Sequence, residues 1–287
     1  MLCGLFGKTR QAYYKQKKET YKESINEDLI LTVVRKIRQK QKRTGGRKLL
    51  DMLRERLDQE QMMGRDAFFN LLRSHGLQVR KRKFRAVTTN SFHWLHKYPN
   101  LIKELSPERP NHLWVSDITY INTDNGFLYL YLVTDAYSRK IIGWHLSDNL
   151  GSDNAILALY MAISQLPANC TEIIHHSDRG IQYCCAEYVQ ILEHFNIQIS
   201  MTENGDPYEN AIAERVNGIL KTEFGLDQNF VSLDHARTVT DSAINIYNNK
   251  RPHSSCDYLT PAAAHDYNGI LRKRWKSKSK QHLLIET

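Results

Sequence analysis

Three acidic residues lie in sequence surroundings that suit metal-dependent chemistry. Asp117 lies within WVSDITY, Asp178 within HHSDRG and Glu214 within ENAIAER, and 35 residues separate the second from the third. Mg²⁺ prefers carboxylate oxygens, and two such ions about 3.5–4 Å apart can activate an attacking oxygen and stabilise a leaving oxygen. The three acids therefore predict one metal site that serves phosphoryl transfer on nucleic acid.

These acids also have a simpler interpretation. The chain contains 31 Asp and Glu residues, so a pair with this separation arises easily by chance. An Asp at the end of a strand is in addition a common turn former. The surrounding residues must decide between the two interpretations.

The length and charge of the chain narrow the class of protein. Its 287 residues allow two domains of ordinary size, each with its own core. Lys and Arg number 40, the formal net charge is +9, and the excess collects in the first hundred and the last twenty residues. A polyanionic partner is the natural inference, and a generally basic, soluble surface is the alternative.

The cysteines and the apolar runs indicate the compartment. The five cysteines form no CxxC pair and no Cys/His array with zinc spacing, so we expect reduced thiols. The opening MLCGLFGK is too short for a signal peptide, and no run of about 18 apolar residues is present. We therefore expect a cytoplasmic, nucleoid-associated protein with no membrane partner.

Residues 1–79 are predicted to form a small all-α domain. Apolar residues at four-residue steps indicate a helix from Asn26 to Gly45-Gly46, a second helix begins near Arg47, and a third lies between Gly64 and Gly76. Three short helices with basic faces resemble a helix-turn-helix domain that binds DNA. Bundles of this size also occur for unrelated reasons. The basic residues 7–23 fit either a DNA-contacting element or a solvated helix.

A dense basic run follows the helices. We interpret residues 80–110 as a basic linker lying on DNA, and we expect Arg47, Lys81, Arg82 and Lys83 to contact phosphates. Such contacts contribute affinity that depends on salt and not on sequence. A basic tether that contacts nothing is the alternative.

Residues 111–265 read as strands and helices in the order β-β-β-α-β-α-β-α. The apolar run FLYLYLVTD is typical of a strand covered on both faces, Ser152 is a candidate N-cap, and Asp178 ends a short strand. This order predicts a ribonuclease H-like α/β fold, a mixed sheet with flanking helices. Residues 266–287 form a basic tail.

The helix that carries Glu214 has strong local signals. Asp206 is a candidate N-cap, Pro207 suits the first helical position, and Glu209 completes a capping box, so we expect a helix ending near Phe224. Polar residues recur on one of its faces: Asn210, Glu214, Asn217 and Lys221. This spacing would align a metal-binding carboxylate with an ammonium group for phosphate, although such pairs are usually only solvated.

Four motifs together resemble a known family: WVSDITY, HSDRGIQY, NGDPYENAIAERVNGILKTEF and YNNKRPH with a later LTP. They are similar to the catalytic protein of insertion-sequence transposases of the OrfB type, whose core resembles retroviral integrase. The resemblance covers about residues 111–265, and TGGRKLL resembles the small DNA-binding domain that precedes such cores.

This resemblance implies roles for matching positions. Asp117, Asp178 and Glu214 would be the catalytic, Mg²⁺-binding triad, with Mn²⁺ as a substitute. We expect Lys221, Arg251 and His253 to contact DNA, although the chemical role of the motif from Tyr247 to His253 does not follow from its residues. The chain departs from the family pattern at Ile181, Arg215, Cys256 and Asp257, positions that bear on local packing and DNA contacts.

The resemblance also implies partners. We expect double-stranded DNA, namely the terminal repeats of a mobile element and its target, a homo-oligomer on that DNA, and a partner protein or fusion encoded by a preceding frame. The predicted reaction is cleavage at the element ends followed by strand transfer. A ribonuclease H-like nuclease and a non-catalytic DNA-binding descendant of a transposase are the alternatives.

Overall fold

The chain divides into two compact units, Met1–Lys83 and Phe84–Thr287. The computed structural model describes residues 9–79, 94–124, 126–168, 170–203, 210–267, 269–272 and 274. Among the helices in these ranges, none is long and apolar enough to cross a membrane. The finer domain boundaries given above remain a prediction.

Three helices lie within residues 9–79 of the first unit, in agreement with the sequence pattern. They are α1 (Arg10–Lys40), α2 (Gly46–Arg54) and α3 (Arg65–Ser74), with a single 3-10 turn at Gln59–Gln61 between the last two. Their apolar stripes meet in one core, whose buried members include Ile30, Val34, Leu49, Leu53, Phe68 and Leu72.

Helix α1 differs from its prediction at both ends. It begins at Arg10 because residues 10–23 contain neither Gly nor Pro and the Thr9 hydroxyl accepts the Ala12 N–H at 3.1 Å, an N-cap contact. It ends at Lys40, before the predicted glycines. Side-chain contacts stabilise the following turn, where Arg38 Nη2 donates to the Thr44 carbonyl at 3.1 Å.

The second unit is built on a mixed five-stranded sheet. Strands β1, β2 and β3 are antiparallel neighbours, whereas β4 and β5 run parallel to β1, in the spatial order β3-β2-β1-β4-β5. The strands are Leu113–Thr123, Gly126–Asp135, Ile141–Ser147, Ile174–Ser177 and Gln198–Met201. The order of elements read from the sequence predicted all five.

Helices cover both faces of the sheet, which confirms the ribonuclease H-like α/β prediction. They are α4 (Ser152–Ile163), α5 (Ile181–Cys184), α6 (Ala186–His194), α7 (Ala211–Phe224), α8 (Leu233–Lys250) and α9 (Pro261–His265), with a 3-10 turn at Ser254–Cys256. Among the described residues, a hydrophobic core lies against each face of the sheet, and the apolar run of β2 contributes side chains to both. Tyr131 and Val133 pack with α4 and α6, and Leu130 and Leu132 pack with α7 and α8.

The sequence predicts capping residues at the starts of α4 and α7. The predicted N-cap Ser152 is instead the first residue of α4, and Gly151 occupies the cap position with extended backbone. Helix α7 begins at Ala211, whereas the predicted capping residues Asp206, Pro207 and Glu209 lie outside the described residues.

Part of the predicted linker packs on the second unit. Leu95 and Tyr98 contact the core formed with α4 and α6, and Ile102 and Leu105 contact β1 and the start of α7. The Leu101 N–H also donates to Ser200 Oγ at 2.9 Å. Residues 94–105 therefore belong physically to the sheet-containing unit and are not a free tether.

Gly143 is required for the close approach of β3 and α4. A Cβ at this position would lie 2.1 Å from the Ala158 carbonyl oxygen and 3.0 Å from the Ala162 nitrogen, both backbone atoms. We expect Gly143→Ala to lower the free energy of unfolding by about 2 kcal/mol or more, because strand and helix must separate. Urea denaturation measures this change.

Gly218 in α7 provides the matched control. A Cβ there has no neighbour within 4 Å, and the residue lies in a helix interior. Gly218→Ala should therefore raise stability by up to about 1 kcal/mol, through helix propensity. Equal effects of the two substitutions would contradict the assignment of the β3–α4 contact to Gly143.

Candidate active site

Asp117 and Asp178 lie at matching positions of adjacent parallel strands. Val115 of β1 is paired with His176 of β4, and each aspartate follows its paired residue by two positions. Asp117 lies within β1, and Asp178 immediately follows β4. The parallel register thus brings the two predicted acids to one place on the sheet.

Helix α7 is attached by side-chain amides to the same part of β1. Asn210 Nδ2 donates to the Ser116 carbonyl at 3.0 Å, and Asn217 Nδ2 donates to Asp117 Oδ2 at 2.6 Å. Both asparagines are buried, so this part of the predicted polar stripe faces the sheet and not solvent. Glu214 lies between them in sequence, with its side chain exposed.

The environment of Asp117 opposes its ionisation. Burial raises the pKa of its carboxyl from 3.8 to about 7, and the negative charges of Asp178 and, to a smaller extent, Glu214 act in the same direction. Hydrogen bonds from the Ile118 N–H and from Asn217 favour the charged form but do not compensate. Both other acids therefore repel the Asp117 carboxylate, a repulsion that a bound cation would relieve.

The other two acids are less constrained. Asp178 Oδ1 accepts the Gly180 N–H at 2.9 Å, and partial desolvation by the surrounding protein raises the pKa of the otherwise exposed Glu214 carboxyl. Within the described ranges, no three His, Cys, Asp or Glu side chains are arranged closely enough to hold a metal ion. Carboxylate oxygens are suitable ligands for a hard cation, and such a cation would relieve the repulsion of Asp117 by the other two acids. The three side chains do not, however, converge on one point.

Lys221 extends this site along α7. It lies one helical turn beyond Asn217, and its side chain is partly buried. Burial lowers the pKa of its ammonium group, while attraction to Asp117 and Asp227 opposes that change. The predicted cation is therefore within electrostatic reach of the predicted metal ligand.

Burial contradicts the predicted DNA contacts of Arg251 and His253. Arg251 is 1% exposed, and its guanidinium donates from Nε and Nη2 to the Glu223 carboxylate at 2.8 and 2.9 Å. His253 is 5% exposed, and its Nδ1 accepts the Ser255 N–H at 3.2 Å. Neither side chain is exposed enough in this structure to contact DNA.

The remaining predicted DNA contacts lie in or near the first unit. Arg47 is exposed on α2, as a phosphate contact requires. Lys81, Arg82 and Lys83 lie outside the described residues. Their contacts with DNA stay predictions.

Sequence reasoning missed a buried polar network beneath Asp117. Ser116 Oγ and Tyr188 OH lie 2.7 and 2.9 Å from His175 Nε2, and His176 Nδ1 lies 2.8 Å from Ser200 Oγ. Burial lowers the pKa of His175 to about 3, so its imidazole is neutral. The network links β1 to β4 next to both aspartates, and the paired histidines before Asp178 were its only sequence signal.

Comparisons with known proteins identify the relatives of this chain. The integrase core domain family matches residues 107–207, and a second integrase core domain family matches residues 195–261. A 31 kDa uncharacterized protein of insertion element IS600 from Shigella sonnei is 37% identical over 269 residues, covering 91% of this chain and 96% of its own. Transposase InsF for insertion sequence IS3A from Escherichia coli is 38% identical over 195 residues, covering 66% of each chain.

Solved structures of retroviral integrases are more distant. The HTLV-2 integrase catalytic core domain in complex with magnesium has a TM-score of 0.44 and 22% identity, covering 55% of this chain and 97% of its own. A simian T-cell lymphotropic virus intasome chain has a TM-score of 0.49 and 20% identity, and the match covers 75% of this chain and 72% of the intasome chain. Because the insertion-element protein is 37% identical across 91% of the chain and the integrase core domain families match residues 107–207 and 195–261, the chain belongs to the insertion-sequence transposase family that has an integrase core domain.

Proposed function

We propose that this protein is a DNA transposase that cleaves at the ends of a mobile element and joins the freed 3′-hydroxyl to another phosphodiester. The observation that carries the proposal is the meeting of Asp117, Asp178 and the helix of Glu214 at one end of two parallel strands. Burial and, after it, repulsion by Asp178 and Glu214 raise the pKa of Asp117, and a divalent cation bound there would relieve that repulsion.

Asp117, Asp178 and Glu214 would hold two Mg²⁺, with Mn²⁺ as a substitute. Bound there, the ions would activate the attacking oxygen and stabilise the leaving oxygen. Two other residues of the chain orient a ligand and bind the substrate. Asn217 orients Asp117 through its 2.6 Å hydrogen bond, and Lys221 binds a DNA phosphate beside the carboxylates.

The proposed partners are the terminal repeats of the element and a target duplex. The net charge of +9 favours such polyanions. We further propose a homo-oligomer on DNA, so that two element ends can be joined together, and a partner protein or fusion from a preceding frame. These partners follow from the family and from charge.

The reaction is tested by incubating purified full-length protein with Mg²⁺ and a labelled duplex that carries the inverted repeats flanking its gene. Joined products are expected. Cleavage of the RNA strand in a hybrid, without joining, would identify a ribonuclease H-like nuclease. Binding without any cleavage would identify a non-catalytic DNA-binding protein.

Lys221→Ala should lower strand joining by about 10-fold while the protein remains folded, because the lost ammonium group would stabilise charge on a phosphate. Lys221→Arg, which keeps the charge and changes its shape, should retain part of the activity. Arg237→Ala, an exposed substitution on α8 away from the carboxylates, is the control for loss of a positive charge. Unchanged joining by Lys221→Ala at limiting DNA would remove Lys221 from the site.

Removing residues 1–83 should weaken DNA binding and flatten its salt dependence, by about 0.9 in the log–log slope for each lost phosphate contact. The cut leaves residues 94–110 in place, because Leu95, Tyr98, Ile102 and Leu105 complete the core of the second unit. Duplex affinity measured between low and moderate salt checks this. Full-length affinity and slope in the truncated protein would show that the first unit does not bind DNA.

A further inference from the structure

The segment from Tyr247 to His253, whose role did not follow from its residues, makes specific contacts with three other parts of the second unit. Tyr247 OH donates to the Arg139 carbonyl in the β2–β3 turn at 2.8 Å. Asn248 binds both backbone polar groups of Ile141, accepting its N–H at 3.0 Å and donating to its carbonyl at 2.9 Å. Because β3 is an outermost strand, this amide replaces a neighbouring strand at that position.

The third contact is a buried ion pair with α7. Arg251 and Glu223 form two parallel hydrogen bonds of 2.8 and 2.9 Å, and their side chains are only 1% and 13% exposed. The guanidinium also lies 5.6 Å from the centre of the Tyr247 ring. A bidentate pair of this kind fixes orientation as well as distance.

Glu223 and Asn217 hold α7 from different sides. They are six positions apart on the helix, which places their side chains about 120° apart around its axis. Between these contacts, α7 packs through the apolar residues Val216, Ile219 and Leu220, whose contacts are not directional. Two polar attachments on different sides therefore oppose rotation of the helix, which apolar packing alone would permit.

We propose that the segment from Tyr247 to His253 is a positioning device that fixes the rotation of α7 and so places Glu214 opposite Asp117 and Asp178. Arg251 and Glu223 act through the helix and contact neither metal nor DNA. This inference rests on the proposed function, because it assigns the segment to the cation site of that reaction.

Mn²⁺ binding to the full-length protein, followed by the electron paramagnetic resonance signal of free Mn²⁺, tests the proposal without DNA. Arg251→Lys keeps the charge but loses the bidentate geometry, so Mn²⁺ affinity should fall by about 10-fold, the usual scale for residues that support metal ligands. The double variant Arg251→Met with Glu223→Leu guards against misfolding, since apolar replacement of a buried ion pair is often neutral for stability. It should show the same loss of affinity.

Leu159→Ala is the control for stability alone. Leu159 is fully buried on α4, in the core on the opposite face of the sheet from α7. This variant should melt at a lower temperature yet bind Mn²⁺ with wild-type affinity.

Unchanged Mn²⁺ affinity in both folded ion-pair variants would overturn the positioning role, even if the wild type cleaves DNA. A wild-type protein that cleaves no DNA but shows the 10-fold difference would reject the proposed reaction and keep the positioning role. A wild-type protein that binds no Mn²⁺ would overturn both.

Discussion

Glu214→Gln is expected to abolish cleavage and joining together, with a loss of about 1,000-fold, the effect of removing about 4 kcal/mol of charge stabilisation. The substitution keeps the size of the side chain and removes the charge that would hold a divalent ion. Folding should be unaffected because the side chain is exposed. Duplex binding should persist, since deleting an anion near phosphates relieves repulsion.

Cleavage, joining and duplex affinity measured on one preparation check these three statements. Glu187→Gln, at an exposed position on α6, removes one acidic charge elsewhere and should leave all three unchanged. Appreciable cleavage by a folded Glu214→Gln protein would require another third ligand. Glu223 is unsuited because it is paired with Arg251, which leaves Glu209 as the acid to substitute next.

Asp117→Asn should abolish catalysis and, in the absence of metal, stabilise the protein at neutral pH. In the folded protein the pKa of Asp117 is about 7, against 3.8 for the ordinary carboxyl, so the folded state holds a proton that the unfolded state has released. This group therefore lowers stability progressively as pH rises from about 4 to 7. At about 1.4 kcal/mol per pH unit, the full effect is a few kcal/mol.

Thermal melting in a chelator at pH 5 and pH 8 measures this linkage. At pH 8 the variant should melt about 5 °C or more above the wild type, and at pH 5, where less than half of the linkage effect has developed, the difference should be correspondingly smaller. Adding Mg²⁺ at pH 8 should raise the melting temperature of the wild type only. A variant that is less stable than the wild type at both pH values would show that Asp117 is not electrostatically strained.

Local patterns in the sequence were sufficient for most of the fold. The continuous apolar run of β2 indicated a strand covered on both faces, and the apolar spacing around Leu220 indicated α7, because such periodicities depend only on residues close in the chain. The bounds of α1 and α4 were less certain, since helix ends depend on single caps such as Thr9 and Gly151. The family itself was recognisable from four short motifs.

The electrostatics of the candidate site required the tertiary structure. Asp117 is adjacent to Asp178 because β1 and β4 pair in parallel, and it meets Asn217, 100 residues away, because α7 crosses that pair. The raised pKa of Asp117 results from burial and from the negative charge of Asp178, neither of which is visible in WVSDITY.

Caps, turns and apolar periods act over a few residues, so local patterns predicted the elements and their order. The family was predicted from short motifs, which are also local. The tertiary structure decided which charged residues remain at the surface. Arg251 resembled a DNA contact in the chain, but it lies in the core because Glu223, 28 residues earlier, reaches it from α7. Such long-range pairs form only after the sheet and helices have packed, so no local pattern predicts them.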